Sequence, residues 1–140
     1  MKVFLDTNVV IDFFAQREEF FLPAALIIEL ARIKQIEIVV SSLIFVNVAY
    51  ILRKTFEKNL VFSKLNQLSA LCEISSIDEL VIKNSLSSIY KDFEDCIQYL
   101  SAKTKNTDVI ITCNKKDFVD FPIIVFTPTE FIEKCYERFI

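Results

Sequence analysis

The chain of 140 residues contains no glycine and no histidine, and each absence closes off a body of chemistry. Without histidine there is no Ser-His-Asp or Cys-His relay and no His-ligated zinc. Without glycine there is no Walker A loop, no dinucleotide G-x-G-x-x-G and no nucleophile elbow. Backbone positions that need positive φ are expected to fall on Asn or Asp, the next most tolerant residues. Cysteine occurs four times, at Cys72, Cys96, Cys113 and Cys135, but never as a C-x-x-C pair. That spacing suits buried free thiols rather than zinc or redox work. Long hydrophobic runs are also missing. The longest charge-free stretch, residues 38 to 52 (IVVSSLIFVNVAYIL), contains Ser, Ser and Asn and is shorter than the ~20 residues that span a bilayer. The first fourteen residues carry one lysine and two aspartates and no small-residue cleavage site, so a soluble protein of the reducing cytoplasm is expected. The net charge of −3 argues against a passive nucleic-acid coat, although not against an enzyme that meets phosphate through a metal.

What is present predicts a packed core. Hydrophobic residues make up 53% of the chain and charged ones 25%, and no linker, repeat or low-complexity tract interrupts it, so residues 1–140 are read as one domain. Five short runs are apolar on both faces: KVFL (2 to 5), EIVV (37 to 40), CEIS (72 to 75), DVIIT (108 to 112) and IIVF (123 to 126). Such runs suit strands of a parallel sheet covered on both sides. Between them, residues 20 to 33, 43 to 56 and 59 to 70 show helical spacing. Ser42 is a candidate cap, and two capping boxes pair Ser76 with Glu79 and Thr127 with Glu130, the second reinforced by Pro128. The alternation predicts an α/β fold: a three-layer α/β/α sandwich around a central, mostly parallel five-stranded sheet.

Doubly wound sheets bind ligands beyond the carboxyl ends of their strands. Asp6 directly follows KVFL, while Asn114 and Asp117 follow DVIIT in TCNKKDF; the three should share one rim. In KDFEDCIQ, Asp92 reads as the helix cap, with Glu94 and Asp95 in the first turn, where the helix dipole favours acids. Capping and dipole account fully for Asp92 and Glu94. Asp95 instead borders a stripe of Ile97, Leu100 and Ser101 or Ala102, and an inward carboxylate needs a cation. Asp6 alone could be a helix cap, a task open also to Thr7 or Asn8, and NKKD alone could be a polar turn. Convergence is what matters. Several carboxylates on one rim repel unless a cation holds them, and an all-oxygen ligand set selects Mg²⁺ or Mn²⁺. The chemistry implied is metal-assisted phosphodiester hydrolysis.

LDTNVVID at the start, SSLIFVN opening a helix, FEDCIQYLSA, and TCNKKDF near the end together resemble a PIN-domain ribonuclease, most nearly the VapC-like toxins of toxin–antitoxin pairs. The resemblance runs through nearly the whole chain. It implies a PIN-like fold with Asp6, Asp95 and Asp117 as metal-binding carboxylates, and Asn8 supporting Asp6. Asn114 falls in the T-x-N/D motif, and Thr112 matches a hydroxyl that helps to place water. It also implies Mg²⁺- or Mn²⁺-dependent cleavage of RNA, a homodimer, and an antitoxin protein as partner. One position departs from the pattern: Asn47 stands where the family carries a second acid, usually Glu. An amide offers a carbonyl oxygen without charge, so the site should hold metal more weakly, with Asp92 or Glu94 available to compensate. Alternatively, Asn47 is an amide hydrogen-bonded across the pocket or to Asn8.

Lys115 and Lys116 are the best placed basic residues to touch RNA phosphate; Arg53, Lys54, Lys103 and Lys105 end helices, where solvated lysines are ordinary. Phe13, Phe14, Phe20 and Phe21 bracket a charged turn and are read first as core, second as a dimer or antitoxin surface. Two other functions compete. A weakened PIN-like module would bind RNA or protein without cutting, as Asn47 suggests. A haloacid-dehalogenase-like phosphotransferase would use FLDTN as Asp-x-Asp, but Asn8 cannot act as the general acid.

Overall fold

The computed structural model describes residues 1–90 and 92–139, with side chains through residue 135; Lys91, which opens the KDFEDCIQ stretch, lies outside them. Five strands form one sheet: β1 (Lys2–Leu5), β2 (Glu37–Ser41), β3 (Cys72–Ser75), β4 (Val109–Ile111) and β5 (Ile124–Phe126). All neighbours are parallel, in the order β3-β2-β1-β4-β5. The helices are α1 (Thr7–Phe14), α2 (Glu18–Arg32), α3 (Ser42–Leu52), α4 (Lys58–Leu71), α5 (Glu79–Leu86), α6 (Phe93–Thr104) and α7 (Pro128–Phe139), with a 3-10 turn at Lys115–Phe118. Val3, Phe4, Leu5, Val39, Val40, Ile110 and Ile111 are wholly buried. Their two-sided apolarity is what a strand between two helical layers requires.

The order of strand addition reverses at β1, which has β2 on one side and β4 on the other. The Asp6 N–H donates to the Ile111 carbonyl at 3.0 Å, so the ends of β1 and β4 are tied together at this switch point.

Several local expectations shift. The Ser76–Glu79 box does not form: Asp78 caps α5, its carboxylate accepting from the Val81 N–H at 3.0 Å. Pairing of β2 with β3 runs to Ser75, and the Ser76 carbonyl accepts from Ser101 Oγ, so the chain turns into helix two residues later. Ser41, not Ser42, caps α3, accepting from the Ile44 N–H at 3.2 Å. The α3 helix stops at Leu52 rather than residue 56. The Thr127–Glu130 box is present in both directions, at 2.9 and 3.2 Å. Positive φ occurs at Gln16, Lys34 and Asn106, so only one of the three falls on Asn or Asp. Each lies one residue beyond a helix C-cap, the place where closing the last turn forces a left-handed residue whatever its type. Of the four phenylalanines, Phe14 is buried and Phe13 packs against the core with its ring stacked on Phe21 at 6.0 Å, whereas Phe20 is half exposed.

Candidate active site

Asp6 ends β1 and caps α1. Its Oδ1 accepts from the Thr7 N–H at 2.8 Å, and its Oδ2 accepts from the Thr112 hydroxyl at 2.8 Å. Thr112 is fully buried just beyond β4, and its Oγ accepts in turn from the Asn114 N–H at 3.1 Å. One carboxylate is thus gripped by donors from both sides of the switch point, which fixes its orientation.

Burial raises the pKa of Asp6; the Thr112 and Thr7 hydrogen bonds oppose that, and the Asp117 carboxylate adds to it. The other acids come from α6 and the 3-10 turn. Asp92 caps α6 by accepting from the Asp95 N–H at 2.8 Å. Asp95, half-buried one turn into the helix, is pushed up to about 7, first by burial and then by the carboxylates of Asp92, Asp117 and Asp6. A carboxylate that feels three others is short of positive charge.

These side chains line an open cavity of about 410 Å³ whose walls are Asp6, Thr7, Asn8, Asn47, Tyr50, Ile51, Asp92, Glu94, Asp95 and Asp117. Five carboxylates and two amides face it, and none of its described lining residues is basic. The cavity therefore brings together Asp6, Asn8, Asn47, Asp92, Glu94, Asp95 and Asp117 from four separate parts of the chain. The Asn47 side chain makes no hydrogen bond among the described residues, with Asn8 or otherwise, and it lines the cavity. Thr112 and Asn114 are not in the lining: Thr112 stands behind Asp6, and Asn114 precedes the 3-10 turn, its carbonyl accepting from the Asp117 N–H at 3.0 Å. Lys115 and Lys116 line a different cavity with Phe118 and Val119, and Lys115 pairs with Glu130 at 3.2 Å.

Among the described residues, no three acidic or thiol side chains converge into a ready-made metal cage. The donor set nevertheless fits a hard divalent cation. Every donor is oxygen, and burial followed by mutual repulsion holds Asp95 far above the ordinary carboxylate range. Mg²⁺ in particular keeps several waters and takes only one or two carboxylates, so an open bowl suits it better than a closed cage. Thiol ligation is disfavoured: burial, then the bond to Asp12, pushes Cys113 up to about 12, and burial does the same to Cys72.

Sequence reasoning passed over Tyr50 and Ile51, although their spacing from Asn47 on α3 places all three on one helix face. It also left Asp12 without a role. Asp12 is buried, pairs with Arg17 at 3.5 Å and accepts from the Cys113 thiol at 3.4 Å, which locks α1 against the strand-end segment that carries Thr112. Gln98, likewise buried, accepts from Ser41 Oγ at 2.6 Å and braces α6 against the start of α3.

The family model described as PIN domain matches residues 2–116. The chain is 28% identical over 138 residues to Ribonuclease VapC1 of Aquifex aeolicus (strain VF5), covering 95% of this chain and 94% of that protein. Its fold is similar to a toxin–antitoxin complex from Klebsiella pneumoniae, with a TM-score of 0.68 and 22% identity over 90% of this chain and 97% of that one. VapBC2 from Rickettsia felis, solved bound to a DNA fragment from its promoter, gives 0.62 at 22% identity over 91% and 98%. Mycobacterium tuberculosis VapC20, a sarcin-ricin loop cleaving toxin, gives 0.59 at 10% identity over 77% and 86%. With a match that spans well over half of its length, the chain belongs to the PIN domain family.

Proposed function

We propose that the protein is a divalent-metal-dependent endoribonuclease, the toxin of a toxin–antitoxin pair, acting as one domain in the cytoplasm. The observation that carries this reading is the carboxylate bowl at the sheet switch point, walled by five acids and two amides. The ribonuclease name of the Aquifex relative and the toxin–antitoxin complexes among similar folds support it. Asp6, Asp95 and Asp117 are the residues that would hold Mg²⁺ or Mn²⁺, with Asn8 and Asn47 offering carbonyl oxygens and Asp92 and Glu94 adding negative charge at the rim. When bound, the ion neutralises charge on the attacked phosphate and makes water acidic enough to serve as the nucleophile. Thr112, through its hydrogen bond, keeps the Asp6 carboxylate turned toward the cavity, and the Asp92 cap fixes the first turn of α6 from which Asp95 projects. Lys115 and Lys116 are assigned to substrate phosphate flanking the bowl. An antitoxin protein and a homodimer complete the reading.

The test is cleavage of a mixed RNA pool by the purified protein with Mn²⁺ or Mg²⁺. The wild type should cut, and Asp6→Asn, Asp95→Asn and EDTA should each abolish cutting. Cleavage that survives either substitution would overturn the assignment. Asn47, uncharged and facing the cavity, favours a second reading as a binding module with a weakened site; RNA retained but never cut at any metal concentration would select it.

A further inference from the structure

Beside the carboxylate bowl lies a larger groove of about 940 Å³ between α3 and α4, and Tyr50 lines both. The groove is apolar at its floor, but Arg53, Lys54 and Lys58 line its walls against a single described acid, Glu57. In a chain of net charge −3 this local surplus is unexpected. Its cations are engaged with rings rather than carboxylates, as Lys64 also is, at 5.5 Å from Phe14 and 5.1 Å from Phe56. Lys2, Arg17, Arg32, Lys83, Lys105 and Lys115 each pair with a carboxylate. Among the described residues, no carboxylate lies within ion-pair distance of Arg53, Lys54 or Lys58. They lie over aromatic rings instead: Arg53 at 4.7 Å and Lys54 at 4.9 Å from the Tyr50 centroid, and Lys58 at 5.9 Å from Phe62. Both residues remain on the surface, Tyr50 54% and Phe62 56% exposed.

We infer that this groove is the track along which single-stranded RNA approaches the carboxylates, with a base stacked on Tyr50 and neighbouring phosphates held by Arg53, Lys54 and Lys58. Exposed rings interleaved with unpaired cations are the combination that holds single strands: every base has a face to stack, and every phosphate needs a counter-charge. The bowl supplies no described basic side chain, so phosphates beside the cut must find their cations outside it, and Tyr50 is the residue where the two cavities meet. The inference deepens the nuclease reading and rests on it.

The test separates the two by measuring binding in EDTA, where no cutting occurs, and cleavage in Mn²⁺. The probe is a fluorescein-labelled 12-nucleotide oligouridylate, read by anisotropy against the full chain. Tyr50→Leu should weaken binding roughly tenfold, the scale of one lost base–aromatic stack, while Tyr50→Phe should stay within about twofold of wild type. Arg53→Gln with Lys54→Gln should lower the salt slope of the binding constant by about 1.4, since each phosphate contact on a single strand contributes ~0.7. Unchanged binding by Tyr50→Leu, an unchanged salt slope, or a duplex of equal length that competes as well as the single strand would each overturn the track. So would no detectable RNA binding by the wild type, which would leave the groove to a protein segment. A wild type that binds in this Tyr50-dependent way but never cuts would instead sink the nuclease reading and leave the track standing.

Discussion

Asp95 is the residue on which the protein's acid–base behaviour near neutrality turns, because the chain has no histidine. Burial and the carboxylates of Asp92, Asp117 and Asp6 raise it to about 7. The folded state therefore holds this proton more tightly than the unfolded chain, where an aspartate titrates near 3.9. The contribution to stability is fully present below about 4 and is lost as pH rises through 7. Asp95→Asn should accordingly raise the urea midpoint at pH 8 and leave it unchanged at pH 4; equal shifts at both would show that Asp95 is not strained by its neighbours. The same proton competes with a cation. Mn²⁺ affinity measured by calorimetry should fall about tenfold between pH 8 and pH 6, as the ionised fraction of one such ligand does.

At the scale of elements, the chain had to build helix C-termini without glycine. Gln16 and Lys34 sit at φ 52° and 62° directly after the C-caps of α1 and α2. The Arg17 N–H reaches the Asp12 carbonyl and the Gln35 N–H reaches the Leu30 carbonyl, at 3.2 and 2.9 Å, which closes each end in a Schellman-type turn. A left-handed residue with a Cβ costs about 1–2 kcal/mol, partly offset by the extra chain entropy glycine would lose. Lys34→Gly should therefore stabilise the protein by about 0.5–1 kcal/mol in equilibrium denaturation, and a destabilised variant would mean that the lysine stem packs usefully there. The sequence carries no local mark of these positions, since Gln and Lys are not left-handed formers. Strands were legible for the opposite reason: β1, β2 and β4 are buried on both faces, so their runs are apolar without alternation. Cap positions slipped by one or two residues where Ser41 and Ser42, or Ser76 and Asp78, compete for the same role and only sheet register decides between them.

Across the whole molecule, the bowl is assembled by topology. Asp6, Asp95 and Asp117 were readable one by one as acids at strand or helix ends; the rule for doubly wound sheets brought Asp6 and Asp117 to one rim, and Asp95 was singled out by its place beside a buried helical stripe. Tyr50 was not readable this way, because a tyrosine on an apolar helix looks like core until the adjoining groove is seen. A cation that binds only the assembled rim should stabilise the entire fold. At about one hundred times its dissociation constant, Mn²⁺ should add roughly 2.7 kcal/mol, seen as a higher melting temperature that EDTA reverses and that Asp6→Asn abolishes; an unmoved melting temperature would deny the site its ion. The order β3-β2-β1-β4-β5 has one more consequence. The first strand synthesised must wait for the fourth, and until residues 109 to 117 have left the ribosome Asp6 has neither Thr112 to orient it nor Asp117 beside it. A chain that stops before residue 109 therefore lacks the assembled carboxylate rim.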